Sequence, residues 1–222
     1  MPTYAVRAPL VRWLAEEARR AHADLGPYRL LDVGCGKMPY RPLFAPYASA
    51  YVGVDTVENP LAELRGPLEA LPAEDGSFDV CLCAQVLEHV DDPATGVREL
   101  FRVTAPRGRV LLSTHGAMVY HPNPVDLWRW THAGLERLFT DNGEWASVRV
   151  TPASGSTACV AMLASIYLDH VLRRAHVAPL SRPLVSGLNR AAAALDRRVE
   201  LLREPRPGTI AANYHVVAEK AP

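Results

Sequence analysis

The sequence predicts an α/β protein built on a mostly parallel sheet with helices on both faces, and three observations carry that prediction. Short, fully apolar runs recur along the chain, each bounded by turn residues, as strands buried on both faces require. They alternate with helical or linking segments, the pattern of parallel strands joined by crossovers. The glycine pair Gly34/Gly36, Asp55 and the segment from Gln85 all fall at the carboxyl ends of such runs, where open α/β sheets take their ligands.

In chain order, residues 5–21 place Val6, Leu10, Trp13, Leu14 and Ala18 at helical spacing and form an amphipathic helix. "YRLLDV" is a short buried strand. Pro39 stands where the next helix begins, since proline costs little at a first helical position. "AYVGVD" (50–55) is the second strand, a weaker third lies near 64–68, and "SFDVCLCAQ" is the fourth. "DDPATGVRELFRV" is a helix capped by Asp92 with Pro93 in its first turn. "GRVLLST" (108–114) is the fifth strand, residues 131–142 a helix, "EWASVRVTP" a sixth strand and "TIAANYHVVAEK" the last. Between these last two, residues 156–207 form an insertion of two helices, separated by "APLSRP". Residues 1–222 read as one domain, with an N-terminal helix within 1–25; too few residues remain for a second core.

Bulk composition narrows the function. The 24 basic and 24 acidic residues cancel, which argues against nucleic acid as a partner. Only Lys37 and Lys220 are lysines, an arginine bias typical of high-GC, bacterial coding. The four cysteines form no C-x-x-C pair; they read as small buried hydrophobes in a reducing compartment. No ligand spacing suggests a metal. The most apolar run, "ACVAMLASIYL", is too short to span a bilayer, so the expectation is a cytoplasmic protein without stable membrane association.

A glycine loop between a strand and a helix lets a ligand approach the backbone closely. A dinucleotide site wants G-x-G-x-x-G and an acid about 20 residues on. Asp55 satisfies the second condition, but Pro39 occupies the third glycine position. "LLDVGCGKMPY", "YVGVD", "LEALPAEDGSFDVCLCAQVLEHVDDP" and "ELFRVTAPRGRVLLST", in that order and spacing, resemble the class I S-adenosylmethionine-dependent methyltransferases, most of all the small-molecule type with an "LP…FD…LEHV" signature. The resemblance covers roughly residues 29–151 and, less closely, the C-terminal strand. It implies a Rossmann-like seven-stranded sheet with the last strand antiparallel, S-adenosylmethionine as cofactor and S-adenosylhomocysteine as product. It further implies that Asp32 and the Gly34–Cys35–Gly36 loop wrap the methionine part, and that Asp55 takes the ribose hydroxyls. Leu68 and Glu69 would lie along the adenine edge, and Gln85 near the amino-acid end. Met38 departs from the pattern where a third glycine is usual, and Pro67 where many relatives have an acid.

Methyl transfer to a hydroxyl needs a base, and histidine suits neutral pH. The segment after the fifth strand offers His115, His121 and Asp126, with Arg129 as an anion clamp and Trp128 and Trp130 for stacking. Glu88 and His89 read as residues that orient the exit of the fourth strand. The insertion is expected to be a lid or a homodimer surface. The expected function is methyl transfer to a small-molecule acceptor, a sugar or natural-product intermediate, at oxygen ahead of nitrogen. The rivals are a non-methylating elimination or cyclisation on the same cofactor, RNA methylation, and a nicotinamide-dependent reduction that Pro39 disfavours.

Overall fold

A computed structural model describes residues 4–122, 124–174, 178–199, 202 and 204–222. Its centre is a seven-stranded sheet in the order β3-β2-β1-β4-β5-β7-β6. The strands are β1 (Tyr28–Val33), β2 (Ala48–Asp55), β3 (Leu64–Arg65), β4 (Phe78–Ala84), β5 (Thr104–His115), β6 (Trp145–Pro152) and β7 (Asn213–Lys220). The first five pair in parallel, and β7 runs antiparallel between β5 and β6. The order reverses between β1 and β4, so the crevice for a ligand opens where Gly34 and Gln85 leave the sheet.

Alternation along the strands builds two cores. Leu31, Val33, Cys81, Cys83, Val110 and Leu112 face α3 (Pro93–Val103) and α4 (His132–Asp141). Leu30, Val80, Leu82 and Leu111 face the other way, onto Leu10, Leu14 and Ala18 of α1 (Tyr4–Leu25). All four cysteines are buried and free.

Local chemistry sets the element ends. Asp92 Oδ1 accepts from the backbone N–H of Ala94 (3.0 Å) and Thr95 (3.1 Å), capping α3 as its sequence predicts. The third strand is shorter than expected, because Gly66 and Pro67 lead into a single 3-10 turn at Leu68–Ala70. The helix after the glycine loop begins later than Pro39. It is one turn, α2 (Arg41–Phe44), with Pro42 in it, because Met38 takes a left-handed turn at φ +50° first. Met38 thus keeps the backbone shape that the missing glycine would supply, at a cost of about 1–2 kcal/mol for an L-residue.

The insertion is an antiparallel pair, α5 (Ser156–Arg174) and α6 (Ala178–Arg198). "APLSRP" does not separate the helices as expected; α6 already runs through it, and Pro183 lies within the helix. α5 ends at Arg174 and α6 begins at Ala178; residues 175–177 between them, and 200–201 and 203 at the expected end of the second helix, lie outside the described residues. Asp196 of α6 caps α5 by accepting from the N–H groups of Thr157 (3.1 Å) and Ala158 (2.9 Å). No helix among the described residues is long and apolar enough to cross a membrane.

Candidate active site

A cavity of about 480 Å³ lies at the carboxyl edge of the sheet, over the switch in strand order. It gathers Gly34 and Gly36 from the loop after β1, Asp55 from the end of β2, Leu68 and Glu69 from the 3-10 turn, and Gln85 from the end of β4. Six of the eight residues expected to hold the cofactor therefore line one cavity. A separate cavity of about 550 Å³, between α1 and α6, shares no lining residue with it.

The N–H groups of the glycine loop are engaged within the protein. Gly34 and Cys35 both donate to the Val54 carbonyl (2.9 and 3.2 Å), and Gly36 donates to Asp55 Oδ2 (3.2 Å). What the loop offers is space: a Cβ on Gly36 would meet nothing within 4 Å, whereas one on Gly34 would lie 2.5 Å from Val86 Cγ2. Asp55 also accepts from the Thr56 N–H (2.8 Å) and Asn59 Nδ2 (3.1 Å). Three of its roughly four acceptor sites are thus occupied. Asn59, which sequence reasoning missed, bridges Asp55 to the Gly36 carbonyl (2.7 Å) and must swing aside for Asp55 to take a diol.

Asp32 and Cys35 lie behind this loop rather than on the cavity. Cys35 is turned into the core beside Met38, its thiol pushed up to about 11 by burial. Asp32 is buried and accepts from Tyr51 Oη at 2.6 Å. Burial raises its carboxyl to about 7 against the opposing Tyr51 bond, and the Asp55 charge adds to the rise.

On the far side of the cavity, Glu69 Oε1 accepts from the N–H of Asp91 at 3.0 Å, tying the 3-10 turn to the approach of α3. Leu68 packs on Gly96, where a Cβ would lie 2.9 Å from its Cγ. Gln85 adopts φ +61°, a strained conformation for a non-glycine residue at a strand end. Its amide reaches inward to Ser113 Oγ (2.8 Å) and Asn213 Oδ1 (3.2 Å). This couples β4 to β5 and β7 beside the cavity. Thr56 and Asp91 also line the cavity and carried no sequence signal of their own, and His89, read from the sequence as orienting the β4 exit, lines it too.

Beyond His89 lies a cluster of acids and imidazoles. Glu88 is fully buried; its Oε2 accepts from Thr114 Oγ1 at 2.8 Å, and its Oε1 lies 3.3 Å from His115 Nε2. Burial pushes the Glu88 carboxyl up to about 7 and holds His115 down to about 4. The His121 ring sits 5.2 Å, centroid to centroid, from both His89 and His115, with Nδ1 3.1 Å from Asp126 Oδ2. Glu88 also anchors the loop through its backbone, accepting from the N–H of Leu127 at 2.9 Å.

Arg129 does not serve as the expected anion clamp. Its five N–H donors are all engaged inside the protein: two on Asp126 at 2.5 Å each, and one each on the carbonyls of Met118, Val119 and Trp128. It pins the loop after β5. Asp126, only 1% of its side chain exposed, is held well below the usual carboxylate range by that guanidinium and orients His121. Trp128 and Trp130 stack at 5.8 Å, and Trp128 donates to the Val90 carbonyl at 2.8 Å, so they pack the loop against the β4 exit.

A cavity over the β1/β4 switch of a 3-2-1-4-5-7-6 sheet, with a glycine loop on one side and a strand-end acid on the other, is the arrangement that the resemblance to the S-adenosylmethionine-dependent methyltransferases implies. Comparison with known proteins agrees. Residues 31–112 match the family model described as a methyltransferase domain. The ubiquinone biosynthesis O-methyltransferase of Pseudomonas aeruginosa strain LESB58 is 34% identical over 128 residues, 51% of this chain and 53% of that enzyme. The enzyme of the same name from Bordetella pertussis is also 34% identical over 128 residues, 51% of this chain and 52% of its own. The chain spans about half the length of these curated relatives. The fold also matches the Burkholderia thailandensis 1,6-didemethyltoxoflavin-N1-methyltransferase, solved with 1,6-didemethyltoxoflavin and S-adenosylhomocysteine (TM-score 0.54, 16% identity, 94% of this chain and 78% of that one). It matches the [4+2]-cyclase SpnF as well (TM-score 0.56, 17% identity, 93% and 81%). Residues 31–112 thus match a methyltransferase domain, and the fold is shared with a solved methyltransferase that has S-adenosylhomocysteine bound.

Proposed function

We propose that the protein transfers a methyl group from S-adenosylmethionine to a small-molecule acceptor, at oxygen ahead of nitrogen. The observation that carries this reading is that the sheet-edge cavity reaches His89 and Pro124, the latter on the loop that bears His121 and Asp126, with the His89 and His121 rings 5.2 Å apart. The lining fits the cofactor: open space at Gly36 admits a chain close to the backbone, and the Asp55 carboxylate stands at the end of β2 for a ribose diol. The apolar Leu68 offers a flat wall for an adenine.

The cofactor, when bound, supplies a methyl group already activated on a sulfonium. The protein's own work is then alignment and exclusion of water. Leu68, Val86 and Val90 make the cavity wall dry, and the Arg129–Asp126 pair holds the loop that closes the acceptor side. The acceptor's proton is lost beside the Glu88–His115–His121 cluster, where burial holds the His115 imidazole neutral near pH 7. The names of these relatives, O-methyltransferases, support oxygen as the methylated atom; the acceptor class proposed is a sugar or natural-product intermediate.

The insertion packs on Ala117 and Met118 of the same loop, so it shapes the acceptor entrance. Its outer face exposes Val160, Tyr167 and Val171 on α5 and Leu184, Leu188 and Leu195 on α6, a surface suited to a second copy of the chain.

The test is transfer of labelled methyl from S-adenosylmethionine across a panel of phenols, saccharides and amines, with His121→Ala alongside. Turnover of at least one hydroxyl acceptor, lost in the variant, supports the reading. Cofactor binding without turnover across the panel would move the protein to a non-methylating reaction, such as the cyclisation named for SpnF.

A further inference from the structure

Glu88, His115 and His121 come from three separate segments: the 3-10 turn after β4, the last residue of β5, and the loop beyond it. One donor atom from each lies within 4.8 Å of the other two. That is the spacing of groups that converge on a single ion after small side-chain adjustments.

A second observation points to a ligand there. Glu88 is fully buried, yet its Oε1 has no hydrogen-bond partner among the described residues; the His115 imidazole stands 3.3 Å away in a geometry that makes no hydrogen bond. His115 Nδ1 and His121 Nδ1 are likewise buried without hydrogen-bond partners, although Asp126 is near the latter. A buried carboxylate oxygen costs stability when left unpaired, and this one faces the His115 imidazole without a hydrogen bond.

We infer that Glu88, His115 and His121 form a binding site for one divalent transition-metal ion, at the acceptor end of the sheet-edge cavity. Two imidazoles and one carboxylate are a borderline donor set, suited to zinc, cobalt or iron(II) over magnesium or calcium. Three protein ligands leave a coordination position open, as catalytic metal sites do. Asp126, clamped by Arg129, holds His121 from outside, the outer support that ligating histidines usually have. His89, beside Glu88 in the chain, lines the cofactor cavity, which places the cluster next to that cavity. The ion's role, though not its binding, rests on the methyl-transfer reading: an acceptor hydroxyl brought against it gives up its proton to water more readily. No sequence spacing could announce the site, because its ligands are 27 and 6 residues apart and meet only through the sheet.

The experiment is a titration of chelator-treated protein with Co²⁺, followed by its visible d–d absorption and by calorimetry, with Zn²⁺ and Mg²⁺ for comparison. The variants are Glu88→Gln, nearly isosteric, and His121→Ala, on the loop and one-third exposed. His170→Ala, an exposed histidine on α5, controls for surface binding. Circular dichroism establishes that each variant is folded. The expected result is one Co²⁺ per chain with a visible spectrum, affinity lowered at least tenfold in His121→Ala and Glu88→Gln and unchanged in His170→Ala, and weaker binding of Mg²⁺. No saturable binding of Co²⁺ or Zn²⁺ to the wild type, or equal binding to folded His121→Ala, would overturn it. Because S-adenosylhomocysteine binding is read on the same samples, failure of the metal site is distinguishable from failure of the methyltransferase reading.

Discussion

Asp32 makes the stability of this protein depend on pH in a direction opposite to that of an ordinary paired carboxylate. Its carboxyl is raised from 3.8 to about 7, chiefly by burial. A raised folded value means the folded state keeps its proton where the unfolded state has lost it. The stabilisation relative to the ionised acid is therefore complete below about pH 4 and disappears as pH rises through about 7. The full span is about 4 kcal/mol, from roughly three pH units at 1.36 kcal/mol each, and about 2 kcal/mol of it falls between pH 5 and 7. Asp32→Asn keeps an oxygen to accept from Tyr51 and cannot ionise. Urea unfolding of wild type and variant, measured every half unit from pH 5 to 8, isolates the effect, since every other titrating group cancels in the difference. The variant should gain about 2 kcal/mol on the wild type between pH 5 and 7. A difference that stays flat over that range would show that Asp32 is not held as a buried acid, and the account of its environment would be wrong.

Two further outcomes follow from the geometry. Arg129→Ala removes five donors and leaves the covered Asp126 carboxylate without its cation, held only from His121, so it should destabilise the protein by about 3–5 kcal/mol in urea unfolding and raise the acceptor KM more than the cofactor KM; an equal rise in both would detach the loop from acceptor binding. Gly34→Ala puts a methyl 2.5 Å from Val86 on a backbone at φ +66°, and should weaken S-adenosylhomocysteine binding at least tenfold by equilibrium dialysis while the protein stays folded; wild-type affinity would show that the loop is not at the ligand.

The fold was legible because its signals are local and mutually consistent. Apolar runs of strand length mark β1, β4 and β5, and Asp92-Pro93 marks the start of α3 by a side chain that reaches its own second and third neighbours. Local rules misled where a backbone conformation overrode them. Pro39 looked like a helix start, but Met38 turns left-handed first and the helix waits for Arg41. Six residues of the sheet-edge cavity were readable because they stand at or near strand ends at fixed spacing. The acceptor side was not, because its roles depend on which partners the fold supplies. Arg129 had the composition of a free clamp and became a loop pin once five acceptors surrounded it. Glu88 had the position of a structural residue, and only the tertiary structure shows its second oxygen unpaired beside His115.

The central claim is that the Gly34/Gly36 loop and Asp55 hold S-adenosylmethionine. Calorimetric titration of the wild type and Asp55→Ala with S-adenosylhomocysteine, and separately with NADH, tests it most directly. The account predicts binding of S-adenosylhomocysteine alone, weakened in Asp55→Ala by about 1.5–3 kcal/mol for each charge-assisted hydrogen bond lost. Absence of S-adenosylhomocysteine binding, or an affinity that Asp55→Ala leaves unchanged, would contradict it.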